Sequence, residues 1–536
     1  MKNYKNPVLL CDYSDPDVIR VDDTFYMTAS SFNFTPGLPV LASKNLVDWT
    51  LVNYAAENIP ISRYDFPRNS EGIWAPSICF HNGKYYIITG LPDDGIYITE
   101  TEDPFSRWKP LRCIRKGAGL IDPCLFWDDD GKVYVIHAYA KSRAGFNSKI
   151  AVLQADSQTL DCGSADDSSV EDKVIFDGSE TQPTIEGPKI YKRGGFYYIF
   201  APAGGVTAGW QTVLRSENIF GPYEDKIVLA TGNSKINGPH QGALVETQSG
   251  ESWFLHFQDR GIYGRVTHLE PVVWKDGWPC IGTAAKSAVL PGEPVSKYRM
   301  PKIKASSKKI LPKSDCVRAF PGADLNWQWS ANHEVNFAWS ATEKSEKSFY
   351  LNVLNLTEHT FQTYASSSAK SKENELCVLW NAPNLLTRKI RKESFRFYCQ
   401  MNVAGLPLKA RAGIVFIGNE YGSLAVERTE EGLDLLYFEG YTSETSEFER
   451  LESELHRVSI PDSSAFRNQI VNFKLEFIPI GQYEGLAVFE LSIGKFKWHS
   501  EPYSTEEAFW VGGRFGVYAI GKEKGKVLVT MNDKYC

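Results

Sequence analysis

Long apolar runs are missing from this chain of 536 residues. None approaches the ~20 residues that a membrane-spanning helix needs, so no membrane partner is expected. A basic stripe is missing too. Net charge is −7 and the two signs are mixed along the chain, which argues against a nucleic-acid partner. The ten cysteines are scattered, with no CxxC pair and no Cys/His spacing of the zinc kind. Cys79 and Cys124 fall inside apparent strands, where buried, reduced, structural thiols are expected. The opening residues MKNYKNPVLLCDYSDPD lack the apolar core of roughly 7–15 residues found in a secretion signal. A cytoplasmic location is expected unless a leader has been trimmed.

Helical periodicity is scarce as well. Hydrophobic residues make up 43% and aromatics 13%, and they fall in short alternating runs bounded by Gly, Asp, Asn and Pro. That pattern indicates an all-β protein. One unit recurs five times: DPDVIRVDDTFYMTAS, APSICFHNGKYYIITG, DPCLFWDDDGKVYVIHA, GPKIYKRGGFYYIFA and GALVETQSGESWFLHF. Each copy is a short apolar strand, a polar turn and an aromatic-rich strand. Five such hairpins predict a five-bladed β-propeller over residues 1–290, since radial repetition leaves few exposed edges. Residues 291–318 are rich in Pro, Lys and Ser and read as a linker. Residues 319–536 resume a strand pattern without the repeat, which predicts a β-sandwich.

In a propeller the first strand of each blade lines the central channel. Asp15 precedes the first strand of blade one, Asp122 stands at the matching place in blade three, and Glu186 stands just before it in blade four. Asp-Pro is a common turn opener, so Asp15 or Asp122 alone reads as punctuation. The repeat, however, brings all three carboxylates to one end of one pocket. Converging carboxylates repel and are costly to desolvate, so they point to metal binding or to acid/base work. Without a Cys/His pattern, acid/base chemistry is favoured. Two carboxyls of unequal acidity suit glycoside hydrolysis, in which one donates a proton and the other activates water.

The ordered motifs SDPDVIRV, GIWAPSI, GLIDPCLFW and IEGPKIY resemble glycoside hydrolase family 43. INGPHQGALVET and WFLHFQDRGIYGRVTHLEPVVWKDGWP are similar to its β-xylosidases and α-L-arabinofuranosidases. LNWQWS, NAPNLLTRKI and ARAGIVFIG resemble the concanavalin-like sandwich appended to those enzymes. The resemblance implies that Asp15 is the general base, Glu186 the general acid, and Asp122 the group that tunes and orients the acid. It implies inversion at the anomeric carbon, with Asp15 and Glu186 about 6.5–9.5 Å apart. Phe32 and Trp74 match positions that wall the sugar, with core packing as the alternative. Arg260 matches a residue that bonds sugar hydroxyls, with an ion pair as the alternative. His240 matches a histidine near a channel calcium, contacted through water, with a core histidine as the alternative. No cofactor is expected for the chemistry.

The expected substrate is a xylo- or arabino-oligosaccharide cut exo-wise, and the sequence leaves open both the preferred pentose and a homo-oligomer. A non-catalytic sugar-binding propeller would have lost a carboxylate. A fructan-processing propeller would carry Asn-Asp-Pro-Asn and Arg-Asp-Pro segments, which are absent.

Overall fold

Two-residue turns join the first two strands in three of the five blades. Asn82-Gly83, both with positive φ, joins Pro76–His81 to Lys84–Leu91, and Gly194-Gly195 does the same for Lys189–Arg193 and Phe196–Ala203. Such turns match the twist of the strands they join. Each hairpin is then extended by two more antiparallel strands, giving five four-stranded sheets. The computed structural model that shows this describes residues 2–163, 172–303, 309–334, 336–341, 347–356, 378–442, 450–461 and 469–532.

The first strands form a ring. Asp17–Val21 touches Pro76–His81, which touches Leu120–Trp127, which touches Lys189–Arg193, and His240–Glu246 returns to Asp17–Val21. This is the predicted five-bladed propeller. Strands next to the ring are buried along their whole length, as in Val133–Tyr139, because neighbouring blades cover both faces. The N-terminal segment helps close the ring. Tyr4 Oη donates to Leu269 O at 2.6 Å and Asn6 Nδ2 to the same carbonyl at 3.0 Å. Asn3–Lys5 pairs with Lys297–Arg299, beyond the last strand of blade five.

The linker runs along the propeller. Met300 N donates to Lys2 O, and Val317 N donates to Asn53 Oδ1 at 2.7 Å. Residues 304–308 within it lie outside the described residues.

The C-terminal part packs a seven-stranded sheet against an eight-stranded one. Burial alternates along Ile470–Ile480 and Glu484–Ile493, so one face of that sheet meets the core and the other meets solvent. The sandwich core is shared with the propeller. Ile262, Tyr263 and Val266 of blade five belong to the same buried cluster as Trp327, Trp329, Phe477 and Phe515. Trp329, fully buried, exchanges backbone hydrogen bonds with Thr35 of blade one. Truncating such a side chain costs about 3–5 kcal/mol, so the two halves are held by core packing as well as by the linker. The eight cysteines among the described residues are free.

Candidate active site

Four of the first strands open on a residue followed by proline: Asp15-Pro16, Ala75-Pro76, Asp122-Pro123 and Gly187-Pro188. The fifth opens on Gln241-Gly242. Asp15 and Asp122 both have φ of 56°, Gly187 has 59° and Gln241 has 31°. Positive φ is strained for a residue with a side chain. The same backbone twist recurs around the ring, and the side chains of Asp15, Asp122 and Gln241 meet in one pocket. At Gly187 a Cβ would meet Gln241 Cδ at 2.7 Å, so a larger residue there would displace the side chain that donates to Asp122.

Asp15, Asp122, Glu186, Ala75, Gln241 and His240 line one pocket of about 460 Å³. Phe32 and Trp74 line it too. Phe32 is buried and also has positive φ, and Trp74 Nε1 donates to Ser70 O at 2.9 Å. Asp15 is held on both oxygens. Ser30 Oγ donates to Oδ2 at 2.5 Å, and Arg265 Nη1 lies 3.6 Å from Oδ1. Asp122 Oδ2 accepts from Gly187 N at 2.8 Å and Gln241 Nε2 at 3.1 Å. Burial above all, and then the charges of Glu186 and Asp15, push the Asp122 carboxyl well above the usual range. Lys189, whose charge acts in the opposite sense, is 2% exposed and its Nζ makes no hydrogen bond. Glu186 is the open member of the trio, with its side chain 30% exposed against 6% for Asp15.

The second aspartate of the opening motif has a different task. Asp17 accepts from Ser77 Oγ (2.7 Å), Ile78 N (2.8 Å) and Val18 N (2.9 Å), tying blade one to blade two.

Two expectations are corrected. Arg260 does not line the pocket. Its Nε donates to Gln482 O at 3.1 Å, and Nη2 lies 3.4 Å from Glu393, both on the sandwich. Arg265, five residues on and inside a strand, takes the place beside Asp15. His240 is fully buried with Nε2 2.8 Å from Glu186 Oε1, so its ring is engaged by the carboxyl group. Among the described residues no group of three or more His, Cys, Asp or Glu could hold a metal. With His240 bonded to Glu186 and an ammonium group acting on Asp122, the residues present do not fit a channel calcium.

Trp510 went unseen in the sequence. It comes from the sandwich, lines the pocket and has φ of 67°. The Arg265 guanidinium lies 4.9 Å from its ring centroid and 4.8 Å from that of Phe257, so two aromatic faces clamp the cation beside Asp15. Gln241 and Arg265 were also missed. Gln241 carried a signal, since it holds the position in blade five that Asp15 holds in blade one.

A family model, glycosyl hydrolases family 43, matches residues 4–279, and a second, the beta xylosidase C-terminal concanavalin A-like domain, matches 318–529. A putative beta-xylosidase from Xylanibacter ruminicola is 38% identical over 64% of this chain and 61% of its own length. A beta-xylosidase from Formosa agariphila is 30% identical over 81% of this chain and 76% of its own length. The chain therefore spans less than two thirds of the first relative. A solved xylan beta-1,4-xylosidase from Bacillus halodurans superposes with a TM-score of 0.75 at 19% identity, covering 99% of this chain and all of that one. At that identity the likeness establishes the fold alone. The family match runs from the first strand through all five blades, taking in the three converging carboxylates, and the chain belongs to glycosyl hydrolase family 43.

Proposed function

We propose that the chain is an exo-acting, inverting glycosidase that releases terminal xylose, and arabinofuranose as a second sugar, from plant-derived oligosaccharides. The observation that carries this is the convergence of Asp15, Asp122 and Glu186 from three blades into one pocket, with a tryptophan of the second domain at its side. The names of the two relatives support the xylosidase part of the reading.

The roles follow from the surroundings. Asp15 is the general base. It is enclosed and fixed by Ser30 and Arg265, which suits a group that must aim one oxygen at a trapped water. Glu186 is the general acid. It is the exposed carboxyl, and a leaving group must depart toward solvent. Asp122 is a positioning residue. Through Gly187 N it holds the backbone next to Glu186. Trp510 narrows the pocket from the sandwich side, which favours a chain end over the middle of a chain.

Proton NMR of the first-formed sugar tests the reading. A β-xyloside should give α-xylose before mutarotation, and β-xylose first would overturn inversion. Rates on 4-nitrophenyl β-xyloside and 4-nitrophenyl α-L-arabinofuranoside, measured side by side, decide which pentose leads. Turnover of neither would overturn the assignment.

A further inference from the structure

A second cavity lies beside the active pocket, between propeller and sandwich. The space between its walls, counted out into the solvent at its mouth, is about 740 Å³. The segment Ala508–Gly512 stands between the two. Phe509 lines the cavity, Trp510 lines the active pocket, and their ring centroids are 4.3 Å apart.

The cavity is cationic. Arg514 lines its floor at 2% exposure. Its Nε donates to Thr387 Oγ1 at 2.8 Å and its Nη2 to Gln328 Oε1 at 2.9 Å, with the guanidinium 3.9 Å from the Phe34 ring centroid. Its Nη1 is buried and makes no hydrogen bond. Asp12, the carboxylate whose charge acts most on Arg514, is engaged by the amides of Arg265 (3.0 Å) and Gly512 (3.3 Å). Arg450 is exposed at the rim, 5.1 Å from the Trp380 ring centroid, and forms no ion pair among the described residues. No Asp or Glu is among the described residues that line the cavity.

We propose that this interdomain cavity binds a uronic acid, a sugar ring carrying one carboxylate. A buried guanidinium N–H without an acceptor is costly, and an anion is the partner that satisfies it. The side-chain amides of Asn69 and Asn419 line the same cavity and offer partners for the hydroxyls of a sugar ring. A phosphate fits less well, because it brings more charge and more acceptor oxygens than one free N–H and one rim guanidinium satisfy. The site stands apart from the three carboxylates and does not depend on the glycosidase reading.

Isothermal titration of the whole protein with glucuronate, glucose and acetate tests the proposal. Glucuronate should bind with a dissociation constant of about 1 mM or tighter, and glucose and acetate at least about tenfold more weakly. Arg450→Gln, at the exposed rim, should weaken glucuronate about tenfold and leave the unfolding midpoint unchanged. Arg514→Gln should abolish binding. If Arg514→Gln does not fold, Arg450→Gln carries the test. Trp74→Ala, in the active pocket, should bind glucuronate like the parent. The proposal is overturned by any of four results: no saturable binding up to about 10 mM, equal binding of glucose or acetate, an Arg450→Gln variant that binds like the parent, or loss of binding in Trp74→Ala. Because the readout is binding, a chain with no glycosidase activity could still bear the proposal out, and an active one could overturn it.

Discussion

His240 Nε2 and Glu186 Oε1 are 2.8 Å apart, with the histidine ring fully buried and its Nδ1 without a partner. A bare acceptor is a cheaper orphan than an N–H, which makes Nε2 the protonated nitrogen and the donor to Glu186. His240 thus fixes the orientation of the acid. His240→Ala should lower kcat about 10- to 100-fold on natural oligosaccharides with a smaller change in KM. The loss should be smaller on an activated aryl glycoside. Equal losses on both would show that His240 serves the fold and not the acid.

The same leaving-group logic separates the two main carboxylates. An acid matters in proportion to how badly the departing oxygen needs a proton. Glu186→Ala should lose a factor of about 10² or more on oligosaccharides and much less on an aryl glycoside. Asp15→Ala should lose that factor on both, because water still lacks its base. If Asp15→Ala spares the activated substrate, the roles are exchanged.

Asp122 binds its proton more tightly in the folded chain than in the unfolded one, since burial and two neighbouring carboxyls raise its pKa. Its contribution to stability is therefore full below the unfolded value of about 3.9 and is lost as pH rises through the folded value. Asp122→Asn keeps an oxygen acceptor for Gly187 N and Gln241 Nε2. Its unfolding midpoint should exceed that of the parent at about pH 7, and the gap should close at about pH 3. Its activity should fall, because the backbone beside Glu186 exchanges a charged anchor for a neutral one. A midpoint no higher at neutral pH would mean that the buried carboxylate is fully compensated.

Arg265 and Arg260 should part company in kinetics. Arg265→Lys should lower kcat/KM by about tenfold or more, since a lysine cannot lie flat between Phe257 and Trp510 and still reach Asp15 and Ser14. Arg260→Lys should stay within about twofold. Trp510→Ala should raise KM about fivefold with little change in unfolding midpoint, because the ring is half-exposed. A KM unchanged in Trp510→Ala would remove the sandwich from substrate binding.

The carboxylates were legible because the repeat writes their convergence into the sequence. Asp15 and Asp122 occupy the same place in two copies, and geometry does the rest. Other residues escape for definite reasons. Arg260 and Arg265 sit in one short stretch on either side of a tight turn, Gly261–Tyr263. Which of them faces the pocket depends on the packing of that turn against Tyr483 of the sandwich, and the propeller repeat carries no trace of it. Trp510 belongs to no repeat and reaches the pocket only through the docking of one domain on the other. His240 was visible as a residue of interest but not as a partner of Glu186, because the pairing joins two blades across 54 positions of chain.

The heads of the five first strands form five sockets around the channel mouth, and a positive-φ twist recurs at four of them, Ala75 excepted. Three hold Asp15, Asp122 and Gly187, the last carrying Glu186 beside it, while Ala75 and Gln241 fill the other two with neutral side chains that also border the pocket. Position 75 borders the same pocket without that twist, so a longer side chain there would leave the backbone in a different direction from Asp15 and Asp122. The scaffold thus repeats an address for chemistry around its channel and leaves one copy to a methyl group.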